Sequence, residues 1–126
     1  MTYFLLVSSD KIALELLSKA LLQDEQNRIH HAFTGQGAMD LLGSEQIDVV
    51  IAAEELSDGD GLTFIKKLTQ KYPLVNCSMV SSLPTEEFHE ETEGLGVFMQ
   101  LPQNPGVEEA EQMMHLLESI NALMAS

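Results

Sequence analysis

An α/β fold built on a parallel sheet is predicted for this 126-residue sequence by three observations. Short apolar runs recur along the chain, segments of helical spacing separate them, and Gly, Ser, Asp or Pro punctuates the joints. Parallel strands need crossovers, which are right-handed as a rule, so five strands alternating with helices put helices on both sheet faces. At 44% hydrophobic residues, a chain of this length fits one domain, residues 1–126, able to bury ~60–70% of its unfolded surface.

The elements follow in order. Tyr3 to Val7 is an apolar run too short for a helix and rich in strand formers, as expected of a strand buried on both faces. Ser8, Ser9 and Asp10 supply turn and N-cap chemistry, and Ile12 to Leu22 carry apolar residues at helical spacing. A weaker strand is expected over Ile29 to Phe33, then a turn at Thr34 to Gly37 and a short helix over Ala38 to Leu42 closed by Gly43. Ile47 to Ala53 is the clearest buried strand, followed by a polar loop through Gly61 and a helix over Leu62 to Gln70. Met79 and Val80 centre a fourth strand, Val97 to Met99 form a fifth, and Glu108 to Met124 form the last helix.

Composition excludes several function classes. Twenty acidic residues face six basic ones, a formal charge of −14, and such a surface repels phosphate backbones and anionic lipid. Neither nucleic acid nor a membrane is an expected partner. The field is also uneven, because all six bases lie at or before Lys71 while nine carboxylates follow it. A lone cysteine, Cys77, permits no disulfide framework and no multi-cysteine metal site. No apolar run approaches ~18 residues and the first residues carry no basic segment, so a cytoplasmic location is expected.

In open parallel sheets the working site lies beyond the carboxyl ends of the strands, which here directs attention to Ser8, Ser9, Ala53, Ser81 and Leu101. On the spacing of these residues, the chain resembles a response-regulator receiver domain from about Phe4 to about Met124. The resemblance implies a flavodoxin-like, doubly wound (βα)5 fold with strand order 2-1-3-4-5. In that family the first strand ends in an acidic pair that binds magnesium; here Val7 is followed by Ser8 and Ser9, with Asp10 one step beyond. The third strand opens with an Asp, matched by Asp48, and five residues later presents the phosphate-accepting aspartate, whose position holds Ala53. Asp60-Gly61 matches the loop before the third helix, and Ser81 the end of the fourth strand. The fifth strand's aromatic, two residues, Lys and Pro become Phe98, Met99, Gln100, Leu101 and Pro102.

The scaffold is thus kept while the chemistry is missing, as in an atypical, degenerate or pseudo-receiver. Phosphoryl transfer to such a domain needs a carboxylate nucleophile, a cation held by carboxylates and a lysine for the phosphoryl oxygens. Alanine cannot be esterified, serine hydroxyls poorly replace two anions around Mg²⁺, and Leu101 has no charge. The changes are mutually consistent, since a lysine without its carboxylate partner is costly and a leucine beside alanine fills the space. A packed site without metal or cofactor is expected.

Other candidates reduce to bland readings. Glu54 and Glu55 flank the missing acceptor and offer a carboxylate that could serve a cation or imitate a phosphoaspartate, but alternating strand side chains send Glu54 away from the face of residue 53, so a solvated pair at the loop entrance is expected. Ser81 and Phe98 resemble the family's hydroxyl–aromatic switch; without phosphate to draw the hydroxyl inward, a fixed pair is expected. His30, His31, His89 and His115 share no ligand spacing, and Cys77 suits a core position. Gly35-Gln36-Gly37 lacks the third glycine of a dinucleotide loop, and Asp58 to Gly61 lacks the register and terminal Glu of a calcium loop.

Two surfaces remain. Ile12, Ala13, Leu14, Leu16, Leu17, Ala20 and Leu21 span an arc of about 200° on the first helix, at ~100° per residue. This is either a broad core face or a docking surface of the kind receivers present to a sensor kinase or phosphotransfer protein, with Leu14, Leu17 and Leu22 as candidates. The second surface carries Glu86, Glu87, Glu90 and Glu91 with no basic residue after Lys71, which disfavours homodimerisation through the fourth helix, fifth strand and fifth helix. A basic partner, whether kinase, phosphotransfer protein or downstream effector, fits that field, as does plain solvation. The expected function is a phosphorylation-independent signalling module acting by protein–protein contact. A small-ligand sensor using the strand-end crevice is the alternative, and no enzyme activity is expected because no nucleophile–base pair is found.

Overall fold

The computed structural model describes residues 1–125, with side chains through Leu123, so the expected apolar contribution of Met124 lies outside the described residues. The elements run β1 (Thr2–Val7), α1 (Glu15–Leu21), β2 (Asn27–Ala32), α2 (Gly35–Ser44), β3 (Val49–Ala52), β4 (Glu55–Leu56) and β5 (Gly59–Asp60). They continue with α3 (Gly61–Lys71), β6 (Asn76–Val80), α4 (Thr85–Thr92), β7 (Val97–Leu101) and α5 (Val107–Ala125). Five strands pair in parallel in the order β2-β1-β3-β6-β7, while β4 and β5 form a separate two-residue antiparallel ribbon. With the ribbon set aside, this is the expected 2-1-3-4-5 order, with β1 and β3 at the centre.

Alternation along β1 builds two cores. Leu5 and Val7 join Val50, Ala52, Cys77 and Met79 under α2, α3 and α4, whose Ala38, Phe64, Ile65, Leu68 and Phe88 are buried there. Phe4 and Leu6 join Val49, Ile51, Val80, Met99 and Leu101 on the other face, against Leu17 and Leu21 of α1 and Ala110, Met113 and Leu117 of α5.

Several element ends differ from the sequence expectation, each for a local reason. The first helix begins at Glu15 because Asp10 Oδ1 accepts the Ile12 N–H at 2.9 Å and the next bonds are of the tighter i to i+3 kind. Helix α2 starts three residues early because the Thr34 hydroxyl accepts the Gly37 N–H, and it runs through Gly43 to a cap at Glu45. The polar loop before α3 carries the β4–β5 ribbon, after which the Asp60 carboxylate caps α3 through the Thr63 N–H at 2.7 Å.

Candidate functional site

The carboxyl ends of β1, β3, β6 and β7 converge on a crevice of about 360 Å³ lined by Ser8, Asp10, Ala13, Ala53, Glu54, Glu55, Val80, Gln103 and Asn104. Ser8 is buried and its hydroxyl donates to the Asp10 carbonyl at 2.6 Å, while one oxygen of the Asp10 carboxylate accepts the Ile12 N–H. Ser9 is exposed and ties two loops, donating to the Phe33 carbonyl and accepting from the Ser57 N–H at 2.7 Å. Both hydroxyls at the end of β1 are therefore engaged with backbone groups.

Ala53 is 8% exposed, its N–H bonded to the Val7 carbonyl, and Leu101 is fully buried in the α1–α5 core. Leu101 does not line the crevice, and it packs in the core on the opposite sheet face from the one that counts Ala53. Ser81 is buried, its Oγ accepting from the Leu83 N–H at 3.2 Å, while Phe98 is half-buried against the α1–α5 core. Gln100, between Phe98 and Leu101, donates to the carbonyls of Ser81 and Leu83 at 3.2 and 2.8 Å. The loop from Ser81 to Pro84 is thereby fastened to β7, a role the sequence reading missed because an amide's backbone partners leave no spacing pattern.

Glu54 departs from expectation. Its Oε2 accepts from the Ser82 N–H at 2.7 Å and from the Ser82 hydroxyl at 3.0 Å, and its Oε1 accepts from Gln103 Nε2 at 3.2 Å. The alternation argument fails because β3 ends at Ala52: the chain has left the sheet at residue 54, and the side chain folds across the crevice mouth. Glu55 stays exposed, on the ribbon strand β4.

The expected docking residues divide. Leu14 and Leu17 are 4% and 0% exposed and pack in the α1–α5 core rather than on a surface. Leu22 is exposed, and with it Ile12 and Leu16, which the sequence reading had placed inside the arc without separating them from the core. On α4, Glu86, Glu87, Glu90 and Glu91 are all exposed. Among the described residues the ion pair found joins Lys19 to Glu15, far from that acidic helix in sequence.

The remaining titratable candidates do not assemble into a reactive centre. Burial pushes the Cys77 thiol up to about 12, which leaves it protonated at neutral pH. Among the described residues no three of His, Cys, Asp and Glu cluster as a metal site, and no helix is long and apolar enough to cross a membrane.

The whole chain is similar to solved receivers. The signal receiver domain of an HD domain-containing protein from Pseudomonas fluorescens Pf-5 is 23% identical, with 98% of this chain and 90% of that chain covered at a TM-score of 0.79. A two-component response regulator from Clostridium difficile is 20% identical over the full length of both chains at 0.78. The chemotaxis response regulator CheY4 of Vibrio cholerae is 20% identical, covering 91% and 97%, at 0.77. No curated protein matches the sequence. These likenesses fix the fold; kinship is carried by the sequence model of the response regulator receiver domain, which matches residues 4–115 and so takes in β1 from Phe4 onward, every later strand and the residues that line the crevice. This chain therefore belongs to the response regulator receiver domain family.

Proposed function

We propose that this receiver domain signals by protein–protein contact and without phosphorylation. Receiver domains are generally not enzymes and act on other signalling proteins, and no reaction is assigned to this one. The observation that carries the reading is Ala53, which follows β3 and lines the crevice, together with Leu101 at the end of β7, wholly buried in the α1–α5 core. A methyl group cannot form an acyl phosphate, and a buried leucine offers no cation to a phosphoryl oxygen. Ser8 and Ser9 present neutral hydroxyls that donate to backbone carbonyls, and two such oxygens bring none of the negative charge with which a carboxylate pair offsets a divalent cation.

Titration calorimetry with Mg²⁺ and acetyl-phosphate labelling read by intact mass test this reading together. No heat at millimolar metal and no added phosphoryl mass are expected; either signal overturns it.

The contact surface is exposed Ile12, Leu16 and Leu22 on the α1 side, and the partner is a sensor kinase, a phosphotransfer protein or a downstream effector in the cytoplasm. A partner with a basic face suits the acidic α4, whereas self-pairing through α4, β7 and α5 opposes like charges. Light scattering at low salt is expected to give a monomer. A dimer abolished by charge reversal at Glu90 and Glu91 would contradict this. A second reading, a small-ligand sensor, draws on the crevice volume of about 360 Å³, and a nucleotide and metabolite panel that raises Tm would favour it.

A further inference from the structure

Three donors from two loops converge on one carboxylate at the mouth of the crevice: the Ser82 N–H, the Ser82 hydroxyl and the Gln103 side-chain amide, all on Glu54. All three are neutral, so this is an anion held by aligned dipoles rather than by an opposite charge. Charge-assisted bonds of this kind are roughly twice as strong as neutral ones. The geometry is that of an oxyanion site, and the occupant happens to be covalently part of the chain.

We propose that the crevice mouth is an oxyanion-binding site that the protein fills with its own Glu54 carboxylate, which latches the loop before α4 in a single arrangement. The consequence extends along that loop. Glu54 holds Ser82, Gln100 holds the carbonyls of Ser81 and Leu83, and the Ser81 hydroxyl takes the Leu83 N–H. The Pro84 carbonyl then opens α4 by accepting from Phe88. The position of the acidic helix is thus tied to a carboxylate encoded in the sequence, with no ligand added. Glu55, the adjacent acid, is exposed on β4 and supplies the control.

The inference rests on these hydrogen bonds and not on whether residue 53 is modified, so acetyl-phosphate labelling and the following experiment fail independently. The backbone amide of Ser82 is followed by NMR hydrogen exchange in the wild type, E54A and E55A, each with and without sodium acetate at about 0.1 M, with sodium chloride at matched ionic strength as the control. In E54A the Ser82 amide is expected to exchange roughly tenfold faster or more, the loss of one charge-assisted bond. Acetate, but not chloride, should restore protection and shift the Ser82 and Gln103 amide resonances, while wild type and E55A show no acetate response. An E54A protein with wild-type protection at Ser82, or one blind to acetate, overturns the proposal. Should E54A not fold, E54Q decides: its amide has one acceptor oxygen, so the Ser82 or the Gln103 amide resonance must move, and no movement in either overturns it.

Discussion

The Asp58 carboxylate closes the start of helix α2 from across the crevice end of the sheet, accepting the Gly35 N–H at 2.8 Å. Its second oxygen takes the N–H of the next residue, Gln36, at 3.1 Å. Two of the four backbone donors that a helix leaves unpaired at its N-terminus are satisfied by a residue 23 positions away, in the turn of the β4–β5 ribbon. These two bonds join the β3–α3 loop to α2.

A dependence on acid follows. The Gly35 and Gln36 N–H groups hold the Asp58 carboxyl below its ordinary 3.8, and Lys67 adds a smaller contribution. The Thr63 N–H, then the Thr63 side chain, do the same for Asp60 against a small opposing desolvation. A carboxyl lowered on folding contributes stability that is present above its unfolded pKa and lost as pH falls through the folded one. Wild-type Tm is therefore expected to exceed that of D58N and D60N by a constant margin above about pH 5, with the margin closing as pH drops through 3.8 and below. Calorimetric Tm between about pH 2 and pH 7 measures it, and a margin that widens in acid would contradict the assignment.

Gly61 is the point where the ribbon gives way to helix α3. Its N–H donates to the Glu54 carbonyl at 2.9 Å, and a Cβ placed there would run into the Ala53 carbonyl oxygen. Neither obstacle is a flexible side chain, so the backbone itself must shift. G61A is expected to cost about 1–3 kcal/mol in urea unfolding with an unchanged m-value. G59A reports a different strain, because Gly59 holds φ at +148° with open space around it.

Ser78 sits at the middle of β6, fully buried, with no partner for its hydroxyl. It faces Ile51 on the neighbouring strand, in the α1–α5 core, where a hydroxyl was stripped of water and given nothing in return. S78A is expected to be neutral or more stable by about 1 kcal/mol, again from urea midpoints. A loss of more than that would mean the hydroxyl has a partner.

Fold and site were legible in the sequence to different depths. Val49 to Ala52 and Tyr3 to Val7 announce themselves because a strand buried on both faces must be apolar throughout, and that demand is written in residue type. That Ser8, Ser9, Ala53 and Leu101 carry no charge is equally readable, since it depends only on residue type. Glu54 was not, because its direction depends on where β3 stops, and Ala53 is as good a strand residue as Ala52. Leu14 and Leu17 escaped for a related reason: seven apolar residues over about 200° of helix exceed what one face buries, and the Asp10–Ile12 bond that decides which are covered is set by backbone geometry.

Placing an aspartate at position 53 tests the proposed phosphorylation independence by separating the nucleophile from its surroundings. Ala53 is 8% exposed and counted in the core beneath α2 and α3, so a carboxylate there enters an apolar margin. Its neighbours around the crevice are Asp10, Glu54 and Glu55, all of like charge, and Leu101 supplies no lysine to offset them. Desolvation and repulsion both oppose ionisation, which raises the new carboxyl on folding. A53D is therefore expected to lose about 1–3 kcal/mol at pH 7. Because a raised carboxyl costs stability only where it must ionise, the deficit should shrink as pH falls toward 5, the opposite trend from the Asp58 margin. Intact mass after acetyl phosphate is expected to show no adduct on A53D, since neither the acidic pair nor the lysine is present. A labelled A53D would mean that the nucleophile alone was missing, and that Ser8, Ser9 and Leu101 are tolerated by the chemistry.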